Sequence, residues 1–172
     1  MRRAPSALAV AVLAVSLGMA GCGDGRTDDA ATTFGSVTPT GGGPPDPDVG
    51  VDKYALGAGR HTIDSDPGWV YFRTPAGRGC AIGPIGQVVA CDFAPADAPP
   101  GSNQTIVEGG GPAIYRRVAA PEFTRNVDVL PVRHRLTNGA TRCAVDPRGA
   151  VRCETLSGAH GFVIDASTGT LW

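Results

Sequence analysis

The sequence predicts an all-β domain, and three observations support this prediction. The 172 residues include 25 glycines and 15 prolines, far too many for a helical bundle. After the N-terminal apolar run, no stretch of about 12 or more residues has helical periodicity free of Gly and Pro. Short runs of β-branched and aromatic residues between Gly- and Pro-containing turns are instead typical of strands.

An internal repeat supplies two of the predicted hairpins. Residues 78–91 (RGCAIGPIGQVVAC) recur as 142–153 (RCAVDPRGAVRC), and each copy reads as strand, Pro-x-Gly turn, strand. In the second copy, a three-residue loop at 147–149 with its glycine in the left-handed region places the two cysteines opposite each other. The first copy is one residue longer, so it needs either a two-residue loop at Ile85 and Gly86 or a bulge.

Each copy is preceded by a further strand, at 69–73 and at 132–136. The second of these leads to Asn138-Gly139, a strong hairpin dipeptide. We therefore expect two related three-stranded meanders, followed by short strands at 161–164 and 170–172. Residues 94–128 between the copies are rich in Pro and Gly, and we expect loops there with one candidate strand at 113–118.

The N-terminus is typical of a protein exported from a bacterial cell. Arg2 and Arg3 precede an apolar run at 7–17, which suits a signal peptide and is too short to span a bilayer. The following Met-Ala-Gly-Cys22 resembles the lipobox of bacterial lipoproteins. That resemblance implies cleavage before Cys22, a diacylglycerol on its thiol and a fatty acid such as palmitate on the new amino group. The alternative is an ordinary secretory signal with an incidental cysteine.

Five cysteines are present, and lipidation of Cys22 leaves an even number in the domain. In an exported chain these four cysteines are expected to form two disulfides. The hairpin registers predict the pairs Cys80–Cys91 and Cys143–Cys153. Structural zinc sites place their paired cysteines about two to four residues apart, a much shorter spacing than here, so we expect no metal and no cofactor.

The predicted organisation has three parts. They are a signal peptide at 1–21, a lipidated, disordered acidic linker rich in Gly, Pro and Thr at 22–50, and an extracytoplasmic domain at 51–172. The linker has few large apolar residues to offset its chain entropy. The formal net charge of the chain is −1, which gives no general basic field for nucleic acid.

The domain also resembles a family. The segment at 72–77 (FRTPAG), the paired cysteine hairpins and Gly158-Ala-His160-Gly-Phe162 are similar to small secreted or lipid-anchored proteins of actinobacteria that have no known function. The match covers about the last hundred residues. It departs at the turn, which is Thr-Pro-Ala-Gly-Arg here, and at the inserted Ala159. The resemblance implies a cell-envelope protein but carries no catalytic residue.

Candidate binding residues are His160 and Phe162 in the late motif, and Arg133 and Arg135 near the start of the second copy. His160 with Phe162 also suits a β-turn in which Gly158 and Gly161 take positive φ and Phe162 enters the core. On a strand, Arg133 and Arg135 would share one face and His134 the other, which also suits a solvated outer face.

No catalytic residues are expected from the sequence, which lacks the G-x-S-x-G elbow of serine hydrolases. We therefore expect a non-enzymatic binding or interaction module on the outer face of the cell membrane. Its partner would be an envelope protein, a glycan or a lipid. The alternatives are an envelope hydrolase, which would need a pocket that gathers a histidine, an arginine and an acid, and a lipid carrier, which would need a deep apolar cavity.

Overall fold

The computed structural model of the chain describes residues 50–172 except Gln87, with the backbone alone at Leu156. The predicted signal peptide, Cys22 and the linker up to residue 49 lie outside this part. The described residues form eleven strands and no α-helix. In chain order they are β1 (Ala55–Leu56), β2 (Val70–Arg73), β3 (Gly79–Ile82), β4 (Val88–Cys91), β5 (Gln104–Glu108), β6 (Ile114–Arg116), β7 (His134–Asn138), β8 (Thr141–Val145), β9 (Val151–Thr155), β10 (His160–Ile164) and β11 (Gly169–Leu171).

The strands form two sheets, which confirms the all-β prediction. One sheet has the order β2-β3-β4-β5-β6 and the other the order β1-β7-β8-β9-β10-β11. All neighbours are antiparallel except the short β1, which runs parallel to β7. The two predicted meanders are β2 to β4 and β7 to β9, and each continues into a five-stranded meander. Corresponding strands of the two sheets face each other, with β2 on β7, β3 on β8 and β4 on β9.

The core lies between the two sheets and contains both disulfides. Cys80 pairs with Cys91 and Cys143 with Cys153, directly opposite each other across β3–β4 and β8–β9. The Cα–Cα distances are 4.0 and 4.1 Å, and all four cysteines are fully buried. The predicted pairing is confirmed. Alternate residues of the longer strands supply the other core side chains, among them Phe72, Ile82, Val89, Val107, Val145, Val151, Phe162 and Ile164.

The two cysteine hairpins have the predicted turns. In the first, the register from Cys80–Cys91 to Ile82–Val89 has no extra residue, so the two-residue loop is confirmed and the bulge is not needed. Ile85 (φ 63°, ψ 8°) and Gly86 (φ 67°) are both left-handed, as in a type I′ turn. In the second, Gly149 has φ 87° and its amide donates to the Asp146 carbonyl at 3.0 Å.

The β7–β8 turn differs from the expectation by one residue. Asn138 pairs with Thr141, so the central residues are Gly139 and Ala140 rather than Asn138 and Gly139. Gly139 has φ 60°, which suits the first central position of a type II′ turn. The Asn138 amide nitrogen donates instead to the carbonyl oxygens of Gly68, Ile82 and Gly83 at 2.7, 3.2 and 2.9 Å. This side chain therefore joins the β7–β8 turn to the opposite sheet.

Two further expectations are corrected. Residues 94–128 contain β5, a central strand of its sheet, which was predicted as loop because Pro and Gly residues flank it on both sides. Arg133 does not lie on a strand: it precedes β7 and has φ 63°, so it does not share a strand face with Arg135.

Long loops cover the outer face of the β2–β6 sheet. Phe123 and Val127 pack on Tyr71, Ala81, Ala90 and Ile106. The Asp92 carboxylate holds this loop, since it accepts hydrogen bonds from the amides of Glu122 and Phe123 at 3.1 and 2.8 Å. Within the described residues there is no helix long and apolar enough to cross a membrane.

Candidate functional site

A groove of about 440 Å³ opens at one end of the sandwich. The β2–β3 turn (residues 74–78), the β8–β9 loop and the β10–β11 turn form its walls, and Phe93 lies between them. Both copies of the repeat therefore contribute to it. Several lining residues are exposed, so this is an open surface groove rather than a closed cavity.

Arg78 provides a positive charge that has no ion-pair partner among the residues that the structure describes. Its guanidinium carbon lies 4.7 Å from the centroid of the Phe93 ring, which places the cation over an aromatic face. Phe93 is 5% exposed and belongs to the core. Within the described residues, Arg78 forms no ion pair and no side-chain hydrogen bond. Its N–H groups are therefore available to a ligand while the stacking contact restrains the side chain.

The backbone below Arg78 is held in place by its own turn. The Thr74 amide donates to the Arg78 carbonyl at 2.8 Å, and the Arg78 amide donates to the Thr74 hydroxyl at 3.1 Å. Gly77 has φ 79° and its amide donates to the Thr74 carbonyl. Thr74 is 2% exposed. The turn is therefore a closed, hydrogen-bonded unit that fixes where the arginine side chain begins.

Arg148 brings a second guanidinium from the other sheet. It lies at the centre of the β8–β9 loop, where the Asp146 carboxylate accepts the amides of Arg148 and Ala150 at 2.8 and 2.9 Å. The Arg148 side chain is 88% exposed, and its Nε lies 3.6 Å from an Asp146 oxygen. An ion pair this long and this exposed is weak. Arg148 can therefore move to a ligand in the groove at little cost.

Asp165 is the acidic residue that lines the groove. Its carboxylate accepts the amides of Thr168 and Ser167 at 2.8 and 2.6 Å. These hydrogen bonds, with a smaller contribution from the charge of Arg148, hold the pKa of Asp165 below its ordinary value. Asp165 is therefore ionised at neutral pH, and its charge is partly met by backbone donors.

The charges that line the groove sum to about +1, with Arg78 and Arg148 against Asp165. A restrained guanidinium presents two parallel N–H donors, which match the two oxygens of a carboxylate or phosphate. The groove is thus suited to hold an anionic group. Its volume also lies in the usual range for small-ligand sites.

The late motif, residues 158–162, contributes to core packing through Phe162. Phe162 is fully buried between the sheets, so its side chain does not reach a ligand. Gly158 has the expected positive φ of 94°, but Gly161 does not and lies in β10. Gly161 is required because a Cβ there would collide with the Cys153 carbonyl oxygen and with the Trp172 ring. The Trp172 indole N–H donates to the Gly158 carbonyl at 3.0 Å.

The structure does not bring the four predicted binding residues together. His160 is half-buried at the start of β10, and two strands, β8 and β9, separate it from β7, where Arg135 lies. The Arg135 Nε donates to the Tyr54 carbonyl at 2.9 Å, which secures the segment before β1. Arg133 is exposed ahead of β7. None of these four residues lines the groove, and Cys22 lies outside the described residues.

A second cluster of charges, on the outer face of the β7–β11 sheet, is paired within the chain. Glu154 is 4% exposed and lies between Arg152 and Arg142. Arg142 also contacts Asp52 at 2.8 Å, and the Arg152 guanidinium lies over the Trp172 ring. These groups satisfy one another and secure both ends of the domain, so they are not available to a ligand in the way that Arg78 is.

Sequence reasoning did not find Arg78, Phe93, Arg148 or Asp165. The available signal was that two turns, Pro-Ala-Gly-Arg78 and Pro-Arg148-Gly, each carry an exposed arginine. To place both at one end of the molecule requires the strand directions of the two sheets, which the sequence does not specify.

Comparisons with known proteins do not assign a family or a function to this chain. No protein family model, no curated protein and no solved structure matches this chain.

Proposed function

We propose that the chain is a lipid-tethered, extracytoplasmic binding module without catalytic activity of its own, and that its ligand occupies the groove. The observation that carries the proposal is Arg78, which is restrained on Phe93, has no ion pair within the described part of the chain, and lines a groove built by both repeats. An exposed guanidinium that is held against a core ring keeps its charge and its N–H donors available to bind an anion.

Two further observations support the location. Both disulfides are buried in the core, and structural disulfides of this kind form in oxidising compartments outside the cytoplasm. The four cysteines of the domain pair with one another, so none of them needs Cys22. That cysteine is therefore left for the lipid attachment that its Met-Ala-Gly-Cys sequence implies.

Site-specific photo-crosslinking in the intact chain tests this proposal. A photoreactive amino acid replaces Ala76, which is exposed in the groove, and the control replaces Ala119, which is exposed away from it. We expect a discrete adduct with envelope material from position 76 and none from position 119. Equal labelling at both positions, or no adduct at position 76, would contradict a binding function for the groove.

A further inference from the structure

We infer that the groove recognises a singly charged oxyanion, a carboxylate or a phosphodiester, between the guanidinium groups of Arg78 and Arg148. This inference rests on the proposed binding function and names the chemical class of the ligand. The two arginines come from different repeats and different sheets. The site therefore exists only when both halves of the sandwich are assembled.

Arg78 lies against the ring of Phe93, which restrains its guanidinium group. A guanidinium that stacks on an aromatic ring keeps its N–H groups in the plane parallel to that ring. Because Phe93 covers one side of the Arg78 guanidinium, the N–H donors on its other sides can meet two oxygens of one anion. The guanidinium carbon is 4.7 Å from the ring centroid, and Phe93 is fixed in the core. This contact restrains the side chain, which lowers the entropy that a ligand must remove on binding.

The carboxylates near the groove limit the charge of the ligand. Asp165 lines the same groove and remains ionised, and Asp146 lies beside Arg148. These carboxylates would repel a phosphate monoester, which carries nearly two negative charges at neutral pH. An anion with a single charge gains the attraction of both arginines and meets less repulsion. The groove therefore favours carboxylates and phosphodiesters over phosphate monoesters.

The size and openness of the groove limit how much of a ligand it can hold. A volume of about 440 Å³ with exposed walls at Pro75, Ala76 and Ser167 holds one charged unit and leaves both its neighbours in solvent. A singly charged oxyanion of this kind is present in a sugar acid, as a carboxylate, and in a glycerol phosphodiester. The experiment below separates these two sources.

The full chain, isotope-labelled and purified in a non-ionic detergent, is titrated while the Nε–Hε NMR signals of its arginines are followed. The probes are methyl glucuronide, which carries a carboxylate, and glycerophosphoglycerol, which carries a phosphodiester. Methyl glucoside is the neutral control, and glycerol phosphate is the doubly charged control. We expect saturable shifts of the Arg78 and Arg148 signals with one or both singly charged probes, and the tighter probe identifies the source.

Variants make the test specific. Arg78→Gln and Arg148→Gln should each weaken binding about tenfold or more, the usual effect of losing a charge-assisted contact. Arg78→Lys keeps the charge but loses the planar donors and should recover only part of the affinity. The matched control is Arg117→Gln, an exposed arginine that does not line the groove, which should bind like the unchanged protein. Asp165→Asn should tighten binding because it removes a repulsive charge.

Three results would overturn the inference. They are shifts with methyl glucoside that equal those with the anions, tighter binding of glycerol phosphate than of either singly charged probe, and unchanged affinity in both arginine variants. If the probes fail to bind while position 76 still crosslinks, the ligand class is wrong and the binding function stands. If both experiments fail, the binding function is wrong as well.

Discussion

Loss of one core disulfide should cost this domain a large part of its stability. We consider Cys143→Ala with Cys153→Ala, which opens a loop whose ends are 10 residues apart. The chain-entropy treatment gives about 3 kcal/mol for a loop of this length at 25 °C. Both cysteines are fully buried, so removal of their sulfur atoms costs roughly 1–2 kcal/mol more in lost burial and packing. The expected total is about 4–5 kcal/mol.

Urea unfolding followed by tryptophan fluorescence measures this loss. With a slope of about 2 kcal/mol per molar urea, in the middle of the usual range, the midpoint should fall by roughly 2–2.5 M. The equivalent pair of substitutions at Cys80 and Cys91 is the matched comparison. The ends of that loop are 11 residues apart, so the loss of loop-closure entropy in the unfolded chain is nearly the same. Removal of both disulfides should leave little or no folded protein, since the whole free energy of unfolding of a domain of this size is about 5–15 kcal/mol.

A loss below about 1 kcal/mol for either pair would refute the reasoning, because it would mean that the crosslink does not restrict the unfolded chain. Peptide mapping without reduction gives an independent check. A disulfide-linked peptide that joins β3 or β4 to β8 or β9 would contradict the pairing within each hairpin.

Three further predictions concern particular residues. Ile85 is a β-branched residue at φ 63° whose side chain is 81% exposed, so Ile85→Gly should stabilise the domain by about 1 kcal/mol in urea unfolding. Ile114→Gly, in β6, is its control and should destabilise. Gly161→Ala should cost about 2–3 kcal/mol because the new methyl group meets the Cys153 carbonyl and the Trp172 ring, whereas Gly111→Ala, whose nearest contact is at 3.6 Å, should change stability by less than about 0.5 kcal/mol. Burial, with the hydrogen bond to Asp66, raises the pKa of Tyr71 to about 12. The stabilising contribution of the neutral Tyr71 side chain is therefore fully present below pH 10 and should be lost as the pH rises toward 12. Tyr71→Phe should remove this part of the pH dependence. Ionisation of Tyr71 near pH 10 in the folded protein, read from tyrosinate absorbance, would show that this reasoning is wrong.

The sequence was sufficient to predict the parts of the fold that depend on local chemistry. The Pro-x-Gly turns set the hairpin registers, and these registers set the cysteine pairs, because a turn of fixed length leaves one partner opposite each residue. The same logic predicted the left-handed glycine at 149, and it left two alternatives for the first turn, of which the two-residue loop at Ile85 and Gly86 is the one observed. Each of these features is decided within about a dozen residues.

Features that depend on distant parts of the chain were not predicted. β5 is flanked by proline and glycine and becomes a strand because it pairs with β4 and β6. The β7–β8 turn is shifted by one residue, and there the Asn138 amide donates to the carbonyl groups of Gly68, Ile82 and Gly83, which lie at one end of β2 and β3 in the other sheet. The groove is the same kind of feature, since Arg78 and Arg148 are 70 residues apart in the sequence. Their proximity follows from the packing of the two sheets.

The most direct test of the account is mass spectrometry of the chain isolated from membranes of the cell that makes it. We predict that the mature N-terminal peptide begins at Cys22 and carries a diacylglycerol, and that the domain yields the Cys80–Cys91 and Cys143–Cys153 peptides in oxidised form. A Cys22→Ala chain should lose both the lipid and its membrane association. An unmodified N-terminus at another residue, or a Cys22→Ala chain that is still processed and membrane-bound, would contradict the proposal of a lipid-tethered envelope protein.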